Sequence, residues 1–142
     1  MIKDVIIDIK STQTVDGETD GIEFTTEARY GFKDGEYFLS YREGQLFETN
    51  EDVLTNIYIK SDNSIILQRT GSVKSRILIE KGKRNSSIYS LPYGQLTIGV
   101  FGEELNFNLN ENGGSIQLSY NIDQELKLVS HNTVNITISE VK

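Results

Sequence analysis

The sequence has no cysteine and no tryptophan, and only one proline, one histidine and one methionine in 142 residues. Without cysteine there is no disulfide, no thiolate nucleophile and no thiolate metal site. That absence says little about compartment, because exported proteins can also lack cysteine. An apolar run of about 18 residues, the length a membrane-spanning helix needs, is missing too. Met1-Ile2-Lys3-Asp4 leads into an alternating, acid-bearing segment where a signal peptide would carry an unbroken apolar region, so the chain reads as cytoplasmic. No window shows a 3.6-residue period, no glycine-rich phosphate loop precedes a helix, and no His/Asp/Glu spacing suited to a metal stands out. A chain of this length makes one domain, residues 1–142, and buries roughly two thirds of its unfolded surface.

What is present is alternation. Ile57-Tyr58-Ile59-Lys60, Ile65 to Arg69 and Lys74 to Glu80 are β-branched-rich runs separated by short polar turns, Ser61 to Ser64 and Thr70 to Val73. Runs of this kind bounded by Gly, Asn, Asp and Ser read as consecutive antiparallel strands. A fourth, Ser87 to Leu91, reaches the proline in Leu91-Pro92-Tyr93-Gly94, expected to fix a strand corner. Before them, Asp4 to Lys10 sets Val5, Ile7 and Ile9 against polar neighbours. Ile22, Phe24, Thr26, Ala28, Tyr30 and Phe32 then alternate cleanly up to Asp34-Gly35, a two-residue hairpin signal. After Gly94 come Leu96, Ile98 and Val100, a turn expected at Gly102-Glu103, then Leu105, Phe107 and Leu109. Ile116, Leu118 and Tyr120 return, Asp123 to Glu125 turns, and Asn132, Val134, Ile136 and Ile138 share one face of the last run. About ten or eleven short runs with short connections favour an all-β meander, and closing it removes aggregation-prone edges.

The order of five elements carries a resemblance: Leu39-Ser40-Tyr41, Arg69-Thr70-Gly71, Leu91-Pro92-Tyr93-Gly94, Gly113-Gly114 before a strand to Tyr120, and Ser130-His131-Asn132 before a terminal strand. Over about Ile22 to Glu140 the chain resembles the YwiB-like family of small uncharacterised bacterial proteins. The resemblance implies a closed antiparallel up-and-down barrel of calycin (lipocalin-like) type with about 8–10 strands. It implies no activity, cofactor or catalytic residue.

Charge is unevenly spread over the net −7. Residues 1–59 sum to −8, residues 60–84 to +5 and residues 85–142 to −4. An acidic majority argues against a general nucleic-acid coat, which needs many phosphate contacts over a basic surface. The basic stretch could still form a local face. With Ile57, Ile59, Ile77 and Ile79 inward, Tyr58, Lys60, Lys74, Arg76 and Leu78 point outward, and Lys81, Lys83 and Arg84 lie beside them. Such a face suits an acidic protein or RNA, against the ordinary reading of a solvated strand face. Ile65-Ile66-Leu67 and Ile77-Leu78-Ile79 are apolar on both sides, so their outer side expects a cover. Leu46 and Phe47, from the polar segment Arg42 to Asp52, and a second copy of the chain are the two candidates.

The inward rows carry Phe24, Tyr30, Phe32, Tyr37, Leu39, Tyr41, Phe107 and Tyr120, with Arg69 expected at the rim. These rings either fill the barrel or line a mouth for a small apolar or amphipathic ligand, gated by the segment from Arg42 to Asp52. Asp16, Glu18, Asp20, Gly21 and Glu27 match a calcium-loop spacing, apart from Glu18 in the third ligand position. A strand over Ile22 to Phe32 would carry Glu27 roughly 17–20 Å from Ile22, which favours a solvated hairpin loop over a calcium site. Ser130, His131 and Asn132 are sequence neighbours on a strand and alternate faces, so they cannot form a catalytic group. The expectation is a non-enzymatic binding protein without cofactor or metal. A ligand at the barrel mouth is the leading reading, and an interaction module using the outer face of residues 58–84 is the alternative.

Overall fold

Period-two patterning builds ten strands in the computed structural model, which describes residues 2–42, 53–71, 74–91 and 94–141. They are β1 (Ile2–Val15), β2 (Glu18–Lys33), β3 (Glu36–Arg42), β4 (Leu54–Ile59), β5 (Ile65–Thr70), β6 (Lys74–Ile79), β7 (Arg84–Leu91), β8 (Gly94–Asn110), β9 (Gly113–Gln124) and β10 (Lys127–Glu140). Each pairs antiparallel with its sequence neighbour, and β1 pairs with β10 from Val5↔Glu140 to Thr14↔His131. That last ladder closes the meander into the expected all-β barrel. Among the described residues no helix is long and apolar enough to cross a membrane.

Turn chemistry sets the hairpins. Asp16-Gly17 and Asp34-Gly35 take positive φ at both positions, 51° and 79° in the first and 53° and 79° in the second. Turns of that hand match the right-handed twist of the flanking strands. The acidic stretch Asp16 to Asp20 is therefore not the loop expected of it. Its turn is two residues long, and Glu18 and Asp20 already belong to β2, paired with Val15 and Gln13. A strand pulls successive carboxylates apart, and among the described residues no group of three acidic or histidine side chains could hold a metal ion.

The turn expected at Gly102-Glu103 is absent. β8 runs unbroken from Gly94 to Asn110, with a register shift against β9 between Gly102 and Glu104. One extra residue in a strand moves its inward set from even to odd positions, so Ile98 and Val100 give way to Leu105, Phe107 and Leu109. The last connection also moves. Its turn is Glu125-Leu126, both at positive φ, and β10 begins at Lys127 with a second register shift between Leu128 and Ser130. The corner at residues 91–94 and the turn at residues 70–73 each include positions outside the described residues.

Inward side chains from all around the wall form one core. Val5, Ile7, Tyr30, Leu39, Ile57, Ile65, Ile79, Val100, Ile116 and Ile136 are the largest fully buried side chains. A void wide enough for water would wet them, so the middle of the barrel is packed. Removing an Ile or Leu side chain from water is worth roughly 1.5–3 kcal/mol, and the rows from many strands share that gain. The wall itself is lopsided. β1 and β2 pair over fourteen positions. Among the described residues the ladder between β6 and β7 consists of Lys74↔Ser90 and Ser75↔Tyr89. Past Ser75 no further ladder pair joins the two strands among the described residues, and the β6–β7 connection is tied to β8 by Gly82 N–H donating to Gly102 O at 2.8 Å and Gly102 N–H to Lys83 O at 3.3 Å. Gly102 fits there because it has no side chain: a Cβ would stand 2.4 Å from Glu80 O.

Candidate functional site

The split between β6 and β7 opens outward into a groove of about 810 Å³. Its floor is apolar. Ile66 on β5 and Leu78 on β6 are cross-strand partners on the outer side, and Ile88 on β7 stands opposite, 57% exposed. Ile66 is only 8% exposed although it points away from the core, so the groove walls shelter it. Polar groups frame the floor: Lys60 and Asp62 at the β4–β5 end, Arg76 and Glu80 along β6, and Ser86, Ser87 and Thr97 on the opposite wall. Ser64 donates its hydroxyl and its backbone N–H to Asp62 Oδ1, at 2.6 and 3.1 Å. Those bonds hold the Asp62 carboxyl below the usual range.

The basic face is largely neutralised within the chain. Lys60 pairs with Glu36 at 3.0 Å, Lys81 with Glu104 at 3.7 Å and Lys83 with Glu80 at 3.7 Å. Arg84 lies across Gly99 and makes a bidentate bond to Asp123 on β9, Nε to Oδ2 at 2.9 Å and Nη2 to Oδ1 at 2.7 Å. That contact raises the Arg84 pKa and lowers that of Asp123. Among the described residues Lys74 and Arg76 enter no ion pair, and both are exposed. Tyr58 sits half-buried on the same outer row as Ile66 and Leu78. Of the sequence-named face, then, the wall places Lys60, Arg76 and Leu78 in the groove, sets Tyr58 and Lys74 beside it, and engages Lys81, Lys83 and Arg84 in ion pairs. The proposed covers Leu46 and Phe47 lie outside the described residues.

The aromatic rows occupy two regions of the interior. At the end bearing the β2–β3 and β8–β9 turns, Tyr30 stacks on Tyr37 with ring centres 5.8 Å apart, and Phe32 tilts against Tyr37 at 4.7 Å. Tyr30 donates its hydroxyl to Asn110 O at 2.7 Å and Tyr37 to Leu109 O at 3.5 Å. These bonds cross the barrel to cap carbonyls of β8. Phe32, 41% exposed, reaches past the core to the rim. A recess of about 200 Å³ remains there, bordered by Tyr37, Lys60, Phe107 and Leu109. Toward the other end Phe24 and Tyr41 approach with ring centres at 6.4 Å. Arg69 takes an inward register between Thr55 and Ser75, with its Nε enclosed. Leu39 and Tyr120 are buried, as is a polar pair on β10, where Asn132 donates to Ser130 Oγ at 3.0 Å.

Ser130 and Asn132 thus face the interior while His131 faces out, and the three do not converge. His131 belongs instead to an outer relay. Asn121 donates its Nδ2 to Glu103 Oε1 at 2.5 Å, which leaves its Oδ1 to accept from His131 Nδ1 at 2.6 Å. Glu103 is the residue inserted by the β8 bulge, so nothing in the local alternation pointed to this relay. The groove residues Ile88, Ser86 and Thr97 escaped sequence reading for a similar reason. They line a groove only because the ladder between β6 and β7 lapses beside them, which no local pattern announces. The one signal that pointed toward the groove was the two-sided apolar character of Ile65 to Leu67 and Ile77 to Ile79.

A closed ten-stranded antiparallel wall around a packed core defines a small β-barrel protein. The chain belongs to the family described as Domain of unknown function (DUF1934), which matches residues 7–136. It is similar to the "Uncharacterized beta-barrel protein YwiB" of Bacillus subtilis (strain 168), 25% identical over 118 residues that cover 83% of this chain and 80% of that protein. The crystal structure of the ywiB protein from Bacillus subtilis shares the fold with a TM-score of 0.85, covering 99% of this chain and 94% of that one at 23% identity. The motif order from Leu39 to Asn132 thus pointed to the right family.

Proposed function

We propose that this β-barrel is a non-enzymatic binding protein whose ligand site is the outer groove at the β6–β7 split. The observation that carries the reading is the combination there of an apolar floor, the sheltered Ile66 and half-buried Leu78, an exposed Ile88 opposite, and an Arg76 guanidinium at the edge that enters no ion pair among the described residues. An apolar recess with a few convergent polar groups is the ordinary form of a binding site. The middle of the lumen offers less, because its aromatic and aliphatic rows already fill one another's space. An amphipathic ligand bearing a negative charge fits the groove, with its apolar part on Leu78 and its charge toward Arg76. The test is a titration of isotope-labelled protein with the amphipathic anion 1-anilinonaphthalene-8-sulfonate, followed by amide shifts. Shifts should centre on Ile66, Arg76, Leu78 and Ile88 and weaken as salt rises, since the charged contact is solvent-accessible. Shifts centred on Tyr37, Phe107 and Tyr120 would reject the groove.

The mouth bordered by Tyr37 and Phe107 is the second reading, favoured by its 200 Å³ recess beside ring faces. That site lacks an unpaired charge among the described residues, because its lysine, Lys60, is held by Glu36. Binding there would be insensitive to salt.

A further inference from the structure

Charge changes sign along the length of the groove. On the outer side of β6 and just beyond it, Lys74, Arg76, Leu78 and Glu80 follow one another at alternate residues, so a positive end, an apolar step and a negative end lie in one line. At the positive end Lys74 and Arg76 are exposed and enter no ion pair among the described residues. At the other end, beside the β4–β5 turn, three carboxylates meet two ammonium groups. Lys60 pairs with Glu36 at 3.0 Å and Lys83 with Glu80 at 3.7 Å, which leaves the exposed Asp62 carboxylate in excess. Its Oδ1 accepts from the Ser64 hydroxyl and N–H, and those bonds favour its ionised form. From Arg76 to Glu80 an extended chain advances roughly 13 Å. Ile66 and Leu78 floor that interval, and Ile88 stands opposite with the hydroxyls of Ser86, Ser87 and Thr97.

We propose that the groove binds a short apolar peptide with both termini free, its carboxylate at Arg76 and its α-ammonium at Asp62. The inference rests on the groove being the binding site and adds what fills it. Opposite charges at the two ends of one recess favour a ligand that carries both signs over one that carries either alone. A separation of roughly 13 Å is the reach of about four extended residues. The hydroxyls of Ser86, Ser87 and Thr97 give peptide N–H and C=O groups partners that a plain alkyl chain has no use for, while Ile66, Leu78 and Ile88 take apolar side chains. The peptide lies on the outer surface over the Leu78 side chain and joins no strand, so the barrel wall and its core are left as they are. A segment inside a longer chain has neither charged terminus, and the site thereby distinguishes a free peptide from the same sequence within a protein.

The experiment titrates the isotope-labelled protein with the tetrapeptide Ala-Leu-Leu-Ala and with its N-acetylated and C-amidated forms, and follows amide shifts. The free peptide should shift Asp62, Arg76, Leu78 and Ile88, and each blocking group should weaken binding about fivefold, the upper range for one exposed charge contact. Two variants assign the ends. Asp62→Asn keeps the Oδ1 acceptor for Ser64 and should erase the penalty of acetylation alone. Arg76→Gln, at an exposed position, should erase the penalty of amidation alone. The crossed result, with Asp62→Asn relieving amidation, would overturn the orientation. Blocked peptides that bind as well as the free one would overturn recognition of the termini, and 10-aminodecanoate binding as tightly as the tetrapeptide would overturn the peptide class. If 1-anilinonaphthalene-8-sulfonate shifts these amides and the tetrapeptide does not, the peptide falls and the groove stands; if neither shifts them, the groove falls as well.

Discussion

At Tyr30 two roles for an inward tyrosine separate, a ligand-orienting hydroxyl and a structural one. Its ring has no exposed area and stacks on Tyr37, and its hydroxyl is committed to Asn110 O at 2.7 Å. Burial first, and the neighbouring Tyr37 second, push its pKa well above the ordinary phenol range. The sign of the linkage follows. The folded state keeps this proton where the unfolded chain, near pH 10, has already lost it, so stability that is whole below about pH 10 falls as the pH rises beyond it. Tyr30→Phe should cost about 1 kcal/mol at pH 7, the usual net worth of one such bond. It should also flatten the alkaline loss, which urea midpoints between pH 7 and pH 11 would show. An equally steep alkaline limb in the variant would place the titration in another tyrosine. The inward facing of Tyr30, Leu39 and Tyr41 was legible because the side a strand residue takes is a local property. The exposure of Phe32, in the same row, was not, since it depends on where the core stops.

Among the elements, β8 taught most about the limits of local pattern. A strand that slips phase and a strand that ends give the same interruption in alternation, and at Gly102-Glu103 the two could not be told apart from β8 alone. The partner decides: β9 continues from Tyr120 to Leu118 without a break, so β8 bulges rather than turns. Gly102 is what lets this happen against β6. A Cβ there would meet Glu80 O at 2.4 Å, Glu80 C at 2.8 Å and Ile79 Cγ2 at 3.1 Å, and two of these are backbone atoms that cannot swing aside. Gly102→Ala should therefore destabilise the barrel by roughly 1–3 kcal/mol, the range for overpacking a filled site. Gly21→Ala on β2 is the matched control. Its Cβ would find only ordinary contacts, 3.6 Å to Ser11 O and 3.9 Å to Thr12 Cγ2, and the change should be neutral or slightly stabilising. Thermal unfolding of the pair measures the contrast, and equal melting temperatures would mean that β6 and β8 yield to each other more easily than their packing suggests.

Across the whole molecule the wall is continuous in topology and uneven in strength. Up-and-down order was legible from short connections, and closure from the need to remove edges. The weak seam was not, because nothing in the residues of β6 or β7 individually forbids a longer ladder between them. The seam has a measurable consequence. Amide protons exchange with solvent as their hydrogen bonds open, so a strand paired on both edges protects every amide while a strand paired on one edge protects alternate ones. β1, held by β2 over fourteen positions and by β10 over ten, should exchange slowly throughout its centre. From Arg76 to Ile79, β6 should show slow and fast amides in alternation, the slow set facing β5 and the fast set facing the groove. Residue-resolved hydrogen exchange by NMR distinguishes the patterns without any ligand. Uniform protection along β6 would mean that its outer edge is satisfied despite the short ladder to β7.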